Sequence, residues 1–108
     1  MTATLESNMA QVAQLKIEGR AFIDGAYVDA RSGATFDCIS PGTGQVIAKV
    51  ASCDTEDVDI AVRSARKAFQ SGVWSNQTPR QRKKVMLKLA GLIEQHAAEL
   101  AMLESLDM

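Results

Sequence analysis

Residues 22–28, Phe22-Ile23-Asp24-Gly25-Ala26-Tyr27-Val28, place Asp-Gly between two β-favouring runs. Both central positions of a two-residue hairpin loop need positive φ, and Asp-Gly tolerates that better than almost any other pair, so this stretch predicts a β-hairpin. The pattern continues downstream. Arg31-Ser32-Gly33 is a second polar turn, Thr35-Phe36-Asp37-Cys38-Ile39 a short strand, and Gln45 to Val50 a further weakly alternating strand. Between these two strands, Ser40-Pro41-Gly42-Thr43 predicts a type II turn with Pro second and Gly third. The segment therefore reads as a run of short antiparallel strands.

After Cys53 the period changes from two to 3.6. Asp54 is placed to cap a helix, and Glu56, Asp57 and Asp59 suit its positive end. Val58, Ala61, Val62, Ala65 and Phe69 predict a buried stripe, with Arg63, Arg66 and Lys67 facing water and Gly72 ending the helix. Thr78-Pro79-Arg80-Gln81 starts a second helix: Thr caps, Pro loses nothing at the first position, and Gln reaches back. Val85, Leu89, Leu92 and Ile93 form its apolar face. Leu100, Leu103 and Leu106 either continue that helix or belong to another that restarts near His96. Upstream, residues 1–20 read as an amphipathic leader with Leu5, Met9 and Val12 at helical spacing, broken by the polar run from Lys16 to Arg20 around Gly19.

Composition bounds the function. The chain has 108 residues and a formal charge of −1, which excludes binding a polyanion by bulk positive charge. No apolar run approaches the roughly 20 residues of a membrane-spanning helix, and the first residues lack the features of a secretory signal. With Cys38 and Cys53 as the only cysteines, a reduced cytoplasmic setting is expected. Aromatic residues are 5% of the chain, so a small core of Ala, Val, Leu, Ile and Met is expected, and it would gain from packing on something else. Glu104-Ser105-Leu106-Asp107-Met108 stops on an apolar helical face with no Gly, Pro or polar tail, which reads as a cut chain.

No motif completes an active site. Gly42-Thr43-Gly44 begins like a dinucleotide fingerprint, but Ile47 stands at the third glycine position and a strand follows, so a tight turn is expected. Cys38 has no basic neighbour in sequence, and Cys53 is followed by Asp54, Glu56 and Asp57, which oppose a thiolate; both are expected to be buried and structural. His96, the single histidine, sits late on a helix, and its separation from the two cysteines shows no zinc-ligand spacing. Arg80, Arg82, Lys83, Lys84 and Lys88 lack an aromatic platform and read as a solvated helix face rather than a nucleic-acid site. Read from these features alone, the chain is an α+β piece with neither a general base nor a cofactor cradle.

The ordered set resembles a known family. Phe22-Ile23-Asp24-Gly25-Ala26-Tyr27, Thr35-Phe36, Ser40-Pro41-Gly42-Thr43-Gly44-Gln45-Val46-Ile47, the Glu56 to Phe69 helix, Trp74, the Arg82 to Ile93 helix and Leu103-Glu104-Ser105-Leu106-Asp107 together resemble the N-terminus of the NAD(P)-dependent aldehyde dehydrogenases. The leader Leu15-Lys16-Ile17-Glu18-Gly19-Arg20 is similar to that of bacterial enzymes oxidising γ-glutamylamino, ω-amino or guanidino aldehydes in putrescine and arginine breakdown. The resemblance implies an α/β fold in which residues 1–20 are a leader and residues 21–108 the N-terminal portion of the dehydrogenase domain, its hairpin strands and first helices packed on a Rossmann-like cofactor domain.

It further implies a parent enzyme using NAD or NADP, a homo-oligomer, with thiolate attack on the aldehyde, hydride transfer and thioester hydrolysis. The catalytic cysteine, glutamate base, oxyanion asparagine and cofactor residues would lie beyond Met108, leaving residues 1–108 inactive alone, with neither nucleic acid nor membrane as partner. The alternative is a non-enzymatic module docking on a full-length relative. Some family members hold a monovalent cation, K+ or Na+, on backbone carbonyls after the first strands and the carboxylate of the Leu-Asp pair, which maps to Cys38, Ile39 and Asp107. The family often has Thr where Cys38 stands; a backbone contact survives that change and a hydroxyl contact does not. Otherwise Asp107 pairs with a helix end or a loop amide.

Overall fold

The computed structural model describes residue 10 and residues 12–108. Residues 10 and 12–14 are helical, so Val12 falls where a leader helix is expected, whereas Leu5 and Met9 lie outside the described residues. Strands β1 (Ala21–Ile23) and β2 (Ala26–Val28) pair antiparallel through a loop with Asp24 at φ 54° and Gly25 at φ 77°. Positive φ at both positions is the left-handed pair that Asp-Gly foretells. Strands β3 (Thr35–Ile39) and β4 (Val46–Ala51) form a second antiparallel ribbon, with a bulge that leaves Ile47 unmatched opposite Cys38 and Ile39.

The predicted type II turn does not form. Its third residue, Gly42, has no positive φ; the left-handed residue is Gly44, at 71°, and the loop closes by Gly44 N–H donating to the Ser40 carbonyl at 2.8 Å. The six-residue loop needs its reversal at the end, where β4 begins, and Ser40 N–H donating to the Gln45 carbonyl at 2.8 Å fixes it there.

Gly19 has a role that its place in a polar run does not reveal. Its carbonyl accepts from Ala51 N–H at 2.8 Å, so the leader lies against the end of β4. A Cβ at Gly19 would sit 1.8 Å from the Lys49 carbonyl oxygen, so only glycine permits this approach.

Helix α1 (Thr55–Ser71) starts on a capping box between Asp54 and Asp57 and ends at Gly72 in the left-handed conformation, φ 74°. Helix α2 (Pro79–Gln95) starts on the Thr78–Gln81 capping box with Pro79 in its first turn. His96, at φ −103° and ψ 18°, breaks the ladder, and α3 (Ala97–Asp107) restarts immediately after it.

The expected stripe is formed but not covered. Ile60, Ala61 and Ser64 are half-buried, while Val58, Val62 and Phe69 of α1 and Val85, Leu89, Leu92 and Ile93 of α2 are exposed, Phe69 by 71%. Among the described residues Ala30 is the one buried apolar side chain, so the small core anticipated from composition is not built among them. The radius of gyration is 18.1 Å, against about 13 Å for a compact domain of this length, and the molecule is a slab 18 Å thick along its shortest axis. An amphipathic helix in so thin a slab has no second layer to bury its stripe.

Candidate functional site

The three residues proposed for a cation site come from two ends of the chain. β3 carries Cys38 and Ile39, and Asp107 is the last residue of α3. The structure brings Cys38 and Asp107 together: the Cys38 Sγ–H donates to Asp107 Oδ1 at 3.6 Å. Ile39 follows at the strand's end, beside the bulge, with its side chain exposed. Partial burial pushes the Cys38 thiol pKa up, and the hydrogen bond and negative charge of Asp107 push it the same way. A thiol so placed stays protonated at neutral pH and is a poor nucleophile. A carboxylate is an oxygen donor of the kind a hard cation takes, and that of Asp107 lies beside Cys38 near the end of β3.

Other candidates fall apart geometrically. Cys53 is exposed and Cys38 half-buried, so the expectation that both are buried fails: Cys53 lies in the short link between β4 and α1, and Cys38 on a ribbon of two strands. His96 Nδ1 lies 3.5 Å from Glu99 Oε2 within the same helical turn, an exposed pair at the α2–α3 junction. Gly42-Thr43-Gly44 joins two strands and presents no helix N-terminus to a phosphate, so these residues do not cradle a dinucleotide. Arg80, Lys83, Lys84 and Lys88 are exposed on α2, and Arg82 reaches back to the Ser75 carbonyl at 3.3 Å. Among the described residues no three His, Cys, Asp or Glu side chains cluster as a metal site, and no helix is long and apolar enough to cross a membrane.

Sequence reasoning read Asp57 only as a charge suited to the helix dipole. The structure buries it to 4% exposure. Its Oδ1 accepts from Arg31 N–H at 2.9 Å and its Oδ2 from Asp54 N–H at 3.0 Å, tying the β2–β3 loop to the start of α1. The Asp54 amide, then the Arg31 amide, hold its carboxyl below the usual aspartate range. The signal was present as Asp54-x-x-Asp57, a capping-box spacing with Asp in place of Glu. The contact with Arg31, 26 residues away, had no local signal.

Against known proteins, the model of the aldehyde dehydrogenase family matches residues 27–108. This chain belongs to the aldehyde dehydrogenase family. It is 51% identical over 102 residues to the aminoacetaldehyde dehydrogenase of Pseudomonas aeruginosa, covering 94% of this chain and 21% of that protein. It superposes on the gamma-glutamyl-gamma-aminobutyraldehyde dehydrogenase of Burkholderia cenocepacia with a TM-score of 0.93 at 53% identity, covering 95% of this chain and 21% of the other. The indole-3-acetaldehyde dehydrogenase AldA of P. syringae, solved with NAD+ and IAA, gives 0.91 at 58% identity, over 94% of this chain and 20% of that one.

The chain thus spans about a fifth of the length of the relatives it matches. Its architecture is that of the N-terminal part of the aldehyde dehydrogenase fold, two strand pairs followed by helices.

Proposed function

We propose that this chain is the N-terminal segment of an NAD(P)-dependent aldehyde dehydrogenase acting on amino- or guanidino-aldehydes of polyamine and arginine breakdown, and that the segment alone has no activity. Its role is architectural: the two ribbons and α1–α3 supply apolar surface on which the cofactor domain packs. The carrying observation is that surface. Among the described residues Val58, Val62 and Phe69 of α1 and Val85, Leu89, Leu92 and Ile93 of α2 are large exposed apolar side chains aligned along their helices.

The substrate class rests on similarity to the aminoacetaldehyde and gamma-glutamyl-gamma-aminobutyraldehyde enzymes. NAD supplies the hydride acceptor in such an enzyme, and its cradle belongs to the remainder of the fold. Asp107, with the carbonyls of Cys38 and Ile39, would hold K+ or Na+, anchoring the end of α3 to β3 through a second tie beside the Cys38 thiol. Free cysteines are consistent with a cytoplasmic enzyme, and a homo-oligomeric parent is part of the same reading.

The test is a chimera in which residues 27–108 replace the matching segment of the P. aeruginosa enzyme. It should reduce NAD+ or NADP+ with amino- and guanidino-aldehydes, while the 108-residue chain alone gives none. Turnover by the chain alone, or a soluble chimera inert towards every aldehyde, overturns the proposal.

A further inference from the structure

We propose that Asp24 is a site of self-modification: its side-chain carboxyl and the Gly25 backbone nitrogen close to a succinimide, which water opens to isoaspartate. The inference is independent of the functional reading above, since it needs only the chemistry and conformation of residues 22–28.

Three observations carry it. First, Asp24 is the one aspartate of the chain followed by glycine. Ring closure brings the nitrogen of the next residue against the aspartate Cγ, and a Cβ on that residue hinders the approach; glycine has none. Second, the pair is exposed at the tip of the first hairpin, outside a ladder that ends with Ile23 opposite Ala26. Among the described residues a Cβ at Gly25 would meet nothing within 4 Å, so the ring and the attacking water have room. Third, Asp24 is held at φ 54°, a conformation that a residue with a Cβ adopts less readily than glycine. Leaving it relieves that cost, and β1 and β2 are only three residues each, so the rotation that closes the ring needs local opening of the tip and not unfolding of the chain.

The two steps balance. In the first, the Gly25 nitrogen bonds to Asp24 Cγ, and the carboxyl hydroxyl and the amide hydrogen leave together as water. In the second, water adds to one of the two ring carbonyls. Breaking the bond from nitrogen to Cγ restores aspartate. Breaking the bond from nitrogen to the Asp24 main-chain carbonyl leaves Gly25 attached through Cγ, which is isoaspartate with a free α-carboxyl. Nothing is oxidised or reduced. The main chain then runs through the Asp24 Cβ, one atom longer in a two-residue loop, and the left-handed pair that sets Ile23 opposite Ala26 is lost. The edge-on contact of Phe22 with Tyr27, 5.2 Å between ring centroids, depends on that register and goes with it.

The experiment ages the intact 108-residue chain in warm neutral buffer and digests samples with a protease that cuts before aspartate but not before isoaspartate, locating the product by electron-transfer fragmentation. Isoaspartate at position 24 should accumulate at least about tenfold faster than at any other aspartate, and within about tenfold of its rate in a free peptide of residues 18–31. Asp24→Asn keeps the left-handed preference and closes the same ring with ammonia leaving, so it should convert to aspartate and isoaspartate with the mass gain of an amide turned acid. Asp24→Glu, whose ring is one atom larger, should remain unmodified. In the isomerised chain, amide exchange across residues 22–28 should be at least about tenfold faster. Equal conversion at all aspartates, an inert Asp24→Asn chain, or a folded chain that stays intact while the peptide reacts overturns the site. Isoaspartate with unchanged exchange across the hairpin overturns its structural consequence.

Discussion

Replacing Gly19 with alanine tests the tie between the leader and the second ribbon. The new Cβ would lie 1.8 Å from the Lys49 carbonyl oxygen, 2.9 Å from its carbonyl carbon and 3.3 Å from the Val50 Cα, all backbone atoms of β4. Backbone held in a paired strand cannot yield by more than an ångström, so the cheaper relief is for the leader to lift away. Lifting forfeits the hydrogen bond from Ala51 N–H to the Gly19 carbonyl, a net loss of about 0.5–1.5 kcal/mol, with some packing beside it. A local loss of about 1–2 kcal/mol corresponds to a 5- to 30-fold fall in protection. Amide hydrogen exchange at Ala51, followed by NMR or by mass spectrometry of the 46–53 peptide, should therefore accelerate by that factor in Gly19→Ala. Gly91→Ala is the matched control: nothing lies within 4 Å of a Cβ there, and the change leaves exchange at Ala51 untouched while favouring α2 by up to about 1 kcal/mol. Unchanged protection of Ala51 in Gly19→Ala would refute the steric argument.

Two further predictions concern titrating groups. Because the folded Asp57 carboxyl lies below the usual aspartate range, its contribution to stability is present above that range and is lost as pH falls through its folded value; Asp57→Asn should be less stable at neutral pH and show a flatter acid dependence below about pH 4 in denaturation curves. An unaltered acid limb would contradict the Arg31 and Asp54 contacts. The Cys38 thiol is raised, so its tie to Asp107 is intact below the ordinary thiol range and lost as pH rises through the raised value. Iodoacetamide at pH 8 should modify exposed Cys53 before half-buried Cys38 in peptide mass spectra, and the reverse order would exclude the Cys38–Asp107 hydrogen bond.

What the sequence disclosed was local chemistry. Asp24-Gly25, the Asp54 cap, Gly72 and Thr78-Pro79 each act within four residues of themselves, and each forms as read. The 40–45 loop shows where local rules give two answers: Pro41-Gly42 suits a type II turn, but closing β3 on β4 puts the left-handed residue at Gly44. Contacts at long separation left no local mark. Arg31 with Asp57, Gly19 with Ala51 and Cys38 with Asp107 depend on how the elements meet. Of the candidate cation site, pairing Cys38 with Asp107 followed from family resemblance, since nothing in spacing links residues 69 apart. The stripes on α1 and α2 were legible as apolar faces, but periodicity marks a face that wants covering and does not say whether the same chain covers it.

The most direct test of the central claim, that these faces are built to be covered by the rest of an aldehyde dehydrogenase, is hydrogen exchange of the α1 and α2 peptides in the isolated chain and in the chimera. Burial of Val58, Val62, Phe69, Val85, Leu89 and Leu92 predicts protection in the chimera at least about a hundredfold greater, as local opening is replaced by opening against a packed interface. Equal exchange in a folded chimera would contradict the account.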